Sequence, residues 1–420
     1  MCNTEVLGKK GIRCRICTGC GRCQGVERMH ILTKRMQPIA VDLRNNRGER
    51  LITADVGTTT IAMQLHREDG SVEDSFVTVN PQIAYGADVI SRIAAAEKTA
   101  DMEPEGAICV AEEMQRMVRG VLEKGINRFR ARLLEGETLR MVLAANTTMV
   151  YLLMGWDVEE LGKAPFVATH PDEVEIEIAG VPIHVIPGLS AFVGGDITAG
   201  IHASGMLTYA EPVLLVDLGT NGELVLGNRE KILACATAAG PAFEGGASRG
   251  IWGADMVHFL ATLRREGLLD KTGLLKETYF ETGVRIGNVC VTQEAVRAIQ
   301  LAKAAIAAGI EILREKYGCC YAEIQKVILA GGFGYYLNPE DAGDIGLLPP
   351  ELVEKTVAGG NTALEGALYI GESLFKRMQT EKQGERIEAD IRKKEGLSLE
   401  IINLAEQKGF EAKYFDNMNL

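Results

Sequence analysis

Two short stretches constrain the fold of this chain more than anything else in it: Asp55-Val-Gly-Thr-Thr-Thr (55–60) and Asp217-Leu-Gly-Thr-Asn-Gly (217–222). Each follows an apolar run (LITADV, VLLVDL) and precedes another (TIAMQL, ELVLG). The pattern predicts strand–turn–strand at both places, not the strand–turn–helix of a P-loop or a dinucleotide fingerprint. Two further motifs recur in the same order. VLAANTTMVYLL (142–153) resembles ILAGGFGYYL (328–337), and Gly194-Gly195-Asp196, opening a small-residue helix, matches Gly359-Gly360-Asn361. Offsets of 162, 186 and 165 residues keep the three in register, which points to a duplicated domain.

Such a turn has a physical use. Gly57 and Gly219 permit a tight bend and let backbone N–H groups approach an anion. The hydroxyls of Thr58, Thr59, Thr60 and Thr220 add donors, and Asn221 and Gly222 complete the second turn. Asp55 and Asp217, at strand ends, suit Mg²⁺ held through water, because Mg²⁺ prefers few carboxylates and several waters. Two turns facing across a cleft would grip a triphosphate from both sides. Gly331 and Gly332, after the apolar KVILA, would leave room for a nucleoside, with Phe333 and Gly334 completing that turn.

Composition narrows the partners. Residues 1–50 carry eleven Lys/Arg and four Asp/Glu, whereas the remainder carries 34 against 53. An acidic body argues against nucleic acid as a partner, and a small basic head suits docking or a negatively charged group within the head. Apolar residues at 46% and charged ones at 24% are ordinary for globular chains. No signal-peptide pattern opens the chain, and the longest apolar run, MVYLLMGW (149–156), is too short to span a bilayer. A cytoplasmic protein with no membrane partner is expected.

The remaining signal is CRICTGCGRC, which places Cys14, Cys17, Cys20 and Cys23 at every third position. Thiolates so spaced can wrap one [4Fe–4S] cube, with Cys2 able to take the place of Cys23. The rival is a structural zinc knuckle, although zinc sites usually set two CxxC pairs across a loop. The organisation expected is a Cys-rich head (1–30), a linker (31–50), two α/β halves (51–205 and 206–371) and a helical appendage (372–420). Thr292 is the expected N-cap of a long helix reaching Lys316.

The duplicated turns with AGGFG (330–334) and two GG[D/N] helices resemble the ASKHA superfamily of acetate and sugar kinases, heat-shock chaperone ATPases and actin. The resemblance implies a duplicated ribonuclease-H-like α/β fold with a nucleotide cleft between halves. Longer strings are similar to one branch, the reductive activators of corrinoid proteins: NPQIAYGADVISRI (80–93), PGLSAFVGGDITAGI (187–201), ATAAGPAFEGG (236–246) and LAGGFGYYLNPEDAGDIGLLP (329–349). They imply an iron–sulfur ATPase that returns cob(II)alamin to cob(I)alamin in a methyltransferase system, fed by an upstream low-potential electron donor, with a homodimer left open. Two departures stand out: the branch carries a larger [2Fe–2S] domain where this chain has a short Cys head, and 242–270 is shortened.

Within that resemblance, Asp196 would orient or deprotonate the attacking water, a role Asn361 in the second copy cannot take; the plainer reading is an N-cap, which either residue satisfies. Gln300 and Lys303 resemble adenosine-lining positions, with a solvated helix face as the alternative. The six histidines show no metal spacing. Rival functions are a small-molecule kinase of the same fold, an actin-like binding module, and an activator of 2-hydroxyacyl-CoA dehydratases.

Overall fold

The computed structural model describes residues 41–43, 48–100, 109–219, 221–237, 239–240, 253–286, 289–380 and 390–420; the four head cysteines and Thr220 lie outside the described residues. Strands β1 (Glu49–Val56), β2 (Thr60–His66) and β3 (Val72–Val79) form an antiparallel meander. Helices α1 (Val89–Ala100) and α2 (Val110–Arg130) lead to β4 (Thr138–Ala145), parallel to β1. After α3 (Thr147–Met154) comes the hairpin of β5 (Val174–Ile178) and β6 (Val181–Val185), with β6 parallel to β4. Helix α4 (Gly195–Ser204) closes this half.

The pattern then repeats. Strands β7 (Val213–Leu218), β8 (Gly222–Gly227) and β9 (Lys231–Thr237) form a second meander. Helix α5 (Gly253–Arg265), the short hairpin of β10 (Val284–Ile286) and β11 (Val289–Val291), and helix α6 (Gln293–Tyr317) follow. They precede β12 (Lys326–Ala330), parallel to β7, and then α7 (Gly331–Gly334), α8 (Pro339–Asp344) and β13 (Thr356–Gly360), parallel to β12. The chain continues through α9 (Thr362–Thr380), β14 (Ser398–Ile401) and α10 (Phe410–Asp416).

The two sheets run β3-β2-β1-β4-β6-β5 and β13-β12-β7-β8-β9-β14. Removing the edge strands β5 and β14 leaves the same five-strand order in both, meander first and two parallel strands after. The duplication read from three short motifs is therefore a duplication of topology. Central strands are buried on both faces, which is why they read as unbroken apolar runs. On one face of the first sheet Ile52, Ala54, Val56, Met141 and Leu143 pack with Met114, Val118, Leu122 and Phe129 of α2. On the other, Leu51, Val142 and Ala144 meet Ala363, Ala367, Leu368 and Phe375 of α9.

The chain divides into two compact units: the described residues up to Ala203 with Thr362–Leu397, and Ser204–Asn361 with Ser398–Leu420. Three expectations change as a result. The linker expected at 31–50 is not all linker: Val41 and Leu43 are core residues, and Arg50, buried, pairs with Glu73 at 2.5 Å. The helix after Gly359-Gly360-Asn361 packs on β1 and β4 of the first unit, so the halves do not divide at 371. The tail expected to be helical supplies an edge strand, β14, which pairs parallel with β9 from Ser398↔Lys231 to Ile401↔Ala234. Charged alternation in LSLEI masked a strand with one face in the sheet.

Candidate functional site

In the first unit, the turn Gly57–Thr59 joins β1 to β2, and the Gly57 N–H donates to the Thr60 carbonyl at 2.9 Å. Each carbonyl of the turn is held by a donor from elsewhere in the chain. The Asn80 side-chain amide donates to Gly57 O at 2.9 Å and the Asn80 backbone N–H to Thr59 O at 2.9 Å. Arg92 Nη2 donates to Thr58 O at 2.6 Å, and Asn146 Nδ2 donates to the Thr58 hydroxyl at 3.0 Å. Asn80 and Arg92 are fully buried. Asp55, Gly57, Thr59 and Thr60 remain partly exposed. The turn is thus a rigid object with one solvent-accessible side.

Asp196 belongs to the same unit, in the first turn of α4. Its Oδ1 accepts from the Ile197 N–H at 2.9 Å, one residue on, whereas an N-cap oxygen accepts from two or three residues on. Gly194, two residues before it, is so close to Asn146 and Thr147 that an added Cβ would lie 2.5 Å from Asn146 Cα and 2.7 Å from Asp196 Oδ1. A chain of contact therefore links Asp196 through Gly194 and Asn146 to Thr58. Asp196 is thus the second residue of α4, inside the helix rather than at its cap.

In the second unit, the Gly219 N–H donates to Asn221 O at 3.0 Å, and Asp217 pairs with Glu223 and Leu218 with Gly222 across β7 and β8. The GGFG turn is brought here by β12, whose Ala330 lies beside Asp217. Gly331 has φ +80°, and a Cβ on it would lie 2.7 Å from Asp217 Oδ1 and 2.8 Å from Leu218 O. Only glycine meets both demands, the left-handed backbone and the close approach. Asp217 and Leu218 therefore sit against Gly331. Phe333 packs against the core, and Gly334 is buried.

Gln300 and Lys303 are placed differently from either expectation. Both are 1% exposed, so they are neither a solvated face nor an open lining. Gln300 Nε2 donates to Thr272 O at 3.0 Å and Met418 O at 2.8 Å, and Lys303 Nζ donates to Asn419 O. The occupant of this part of α6 is the chain's own tail, and Leu420 N completes the seat by donating to Lys271 O at 2.8 Å. Burial, with the Arg264 charge nearby, lowers the Lys303 ammonium to about 8.

Among the described residues no group of three or more His, Cys, Asp or Glu side chains is placed to hold a metal ion. Nor is any helix there long and apolar enough to cross a membrane. The turn supports Asn80, Arg92 and Asn146 were not singled out from the sequence. Their signal was present as the strings NPQIAYGADVISRI and VLAANTTM, but nothing local says that these side chains reach back to residues 57–59.

Two ribonuclease-H-like sheets, each with an acidic strand-end turn, define an ASKHA-type protein. The family model of the RACo middle region matches residues 51–209, and that of the C-terminal domain of RACo, the ASKHA domain, matches 211–250 and 246–420. The chain belongs to the RACo family. It is similar to the corrinoid activation enzyme RamQ of Eubacterium limosum, 28% identical over 415 residues that cover 83% of this chain and 69% of that protein. A [Co(II) methylated amine-specific corrinoid protein] reductase of Methanosarcina barkeri is 26% identical over 44% of each chain. The solved structure of a reductive activator for corrinoid, iron-sulfur protein superposes with a TM-score of 0.72 at 26% identity, covering 89% of this chain and 66% of that one. The chain thus spans between 44% and 69% of the length of these relatives.

Proposed function

We propose that this protein is an ATP-hydrolysing reductive activator of a corrinoid protein, passing one electron to cob(II)alamin in the partner to give cob(I)alamin. The observation that carries this reading is the match to RACo models from residue 51 to residue 420, in a chain whose relatives act on corrinoid proteins. The phosphate role of the first turn is supported by its geometry: braced carbonyls on one side and accessible backbone on the other. Asp55 and Asp217 are the proposed Mg²⁺ holders through water. A strand-end carboxylate on a half-exposed turn suits an ion that keeps most of its waters. Asp196 is the proposed base for the attacking water.

The cysteines at 14, 17, 20 and 23 are the proposed ligands of an iron–sulfur cluster, which when bound would supply single electrons at low potential. A coupling of about 1–3 kcal/mol moves a one-electron couple by only roughly 40–130 mV. Binding of the corrinoid partner must therefore contribute beside ATP. A low-potential electron donor upstream is part of this reading, in a cytoplasmic methyltransferase system, and nucleic acid and membrane are not.

The test mixes anaerobically purified protein with a cob(II)alamin-loaded corrinoid partner, a low-potential reductant and Mg·ATP, and follows the cob(I)alamin absorption. Reduction should depend on ATP, be lost in Asp217→Ala, and be slowed in Asp196→Asn with nucleotide binding kept. Equal reduction with and without ATP overturns the reading. Unchanged turnover in Asp196→Asn removes that residue from the chemistry.

A further inference from the structure

Arg92 is fully buried and among the largest side chains so enclosed. Its guanidinium ties together pieces of chain far apart in sequence: Nε donates to Gly86 O at 3.0 Å, Nη1 approaches Gln82 Oε1 at 3.3 Å and Met149 Sδ at 3.3 Å, and Nη2 reaches Thr58 O at 2.6 Å. A planar fork of five donors can hold several acceptors in fixed directions, which an ammonium cannot. The bond to Thr58 O is the shortest of the four.

That bond has a consequence for the turn's other side. In a trans peptide the C=O of one residue and the N–H of the next point in opposite directions. Holding Thr58 O inward therefore turns the Thr59 N–H away from Arg92, and Asn80 does the same to the Thr58 N–H by holding Gly57 O. Successive N–H groups facing one way form a concavity for an anion. The buried cation polarises the peptide whose N–H is presented, which strengthens that donor.

We propose that Arg92 is a positioning residue of the first phosphate turn: it holds the Thr58 carbonyl so that the Thr59 N–H is aimed at a phosphate oxygen of the nucleotide. The proposal rests on the nucleotide reading above and adds to it a residue with no direct contact to the ligand. In the second unit, Gly331 packs against Asp217 and Leu218 beside the corresponding turn.

Arg92→Gln and Arg92→Lys separate positioning from general loosening when Mg·ATP and adenosine are each measured by competition against a fluorescent nucleotide. Loss of one charge-assisted bond should weaken Mg·ATP about tenfold or more in Arg92→Gln and about threefold in Arg92→Lys. Adenosine binding, which uses no phosphate contact, should be unchanged in both. A parallel loss of both ligands, or wild-type affinity in a folded variant, overturns the assignment. If Arg92→Gln does not fold, Arg92→Lys decides on the ATP-to-adenosine ratio alone. Absence of Mg·ATP binding by the wild type overturns the nucleotide reading along with it, whereas wild-type binding with an unchanged ratio in the variants overturns only the role of Arg92.

Discussion

An ammonium buried against a backbone carbonyl carries a cost that varies with pH, and Lys303 is where that cost can be measured. Burial lowers it from 10.5 to about 8, so between those values the unfolded chain holds a proton that the folded chain has released. Stability therefore rises with pH across that window, and below about 8 both states are charged and the full penalty applies. A displacement of that size corresponds to about 3 kcal/mol. Replacing Lys303 by Met should remove this rise, seen as a smaller gain in unfolding free energy between pH 7.5 and 10 than in the wild type. Equal gains in both proteins would mean that Lys303 keeps its proton throughout. The same burial explains why a position that resembles a ligand contact is used to seat the tail: Asn419 O and Met418 O are already the acceptors.

At the scale of elements, the small-residue helices following GGD and GGN earn their composition by packing. Helices α4 and α9 approach so closely that a Cβ on Gly366 would overlap the Ala199 carbonyl. His202 and Tyr369 then stack along the same contact, 5.9 Å between ring centres. Neither helix can move off without uncovering Ala199, Ala363 and Ala367, which are core residues of the first unit. Gly366→Val should destabilise this unit by about 3 kcal/mol, the upper range for overpacking against backbone. Denaturant unfolding at the wild-type midpoint would show that the helices can separate at little cost. Edge strand β14 has an equally concrete role: Ile402 and Leu404 beside it are buried in the second core.

For the whole molecule, the question is which parts fold without the Cys-rich head. A cut at residue 50 would remove Glu49 and Arg50 from β1, and with them the buried Val41 and Leu43. A cut before residue 39 spares them all. Protein lacking residues 1–38 should therefore fold, bind Mg·ATP, contain no iron, and fail to reduce the corrinoid partner. Full activity in that variant, or iron retained with labile sulfide, would place the electron's route elsewhere. Stoichiometric zinc without labile sulfide in the full chain would remove electron transfer from the head and favour a kinase or scaffold of the same fold.

The sequence by itself determined the strands flanking the two turns, the turns themselves, the capped long helix and the duplication, because period-2 and period-3.6 patterning and turn chemistry act over a few residues. Thr292 capping α6 through Ala295 N at 3.3 Å is a contact of that local kind. Tertiary structure alone decided what stiffens the first turn and what occupies Gln300 and Lys303. The Arg92–Thr58, Asn146–Thr58 and Lys303–Asn419 bonds join residues 34, 88 and 116 apart. No local pattern encodes such partners. A buried donor must find an acceptor somewhere, but which one is set by the sheet order that brings β1, β4 and the NPQ segment together in one unit, and α6 and the tail together in the other.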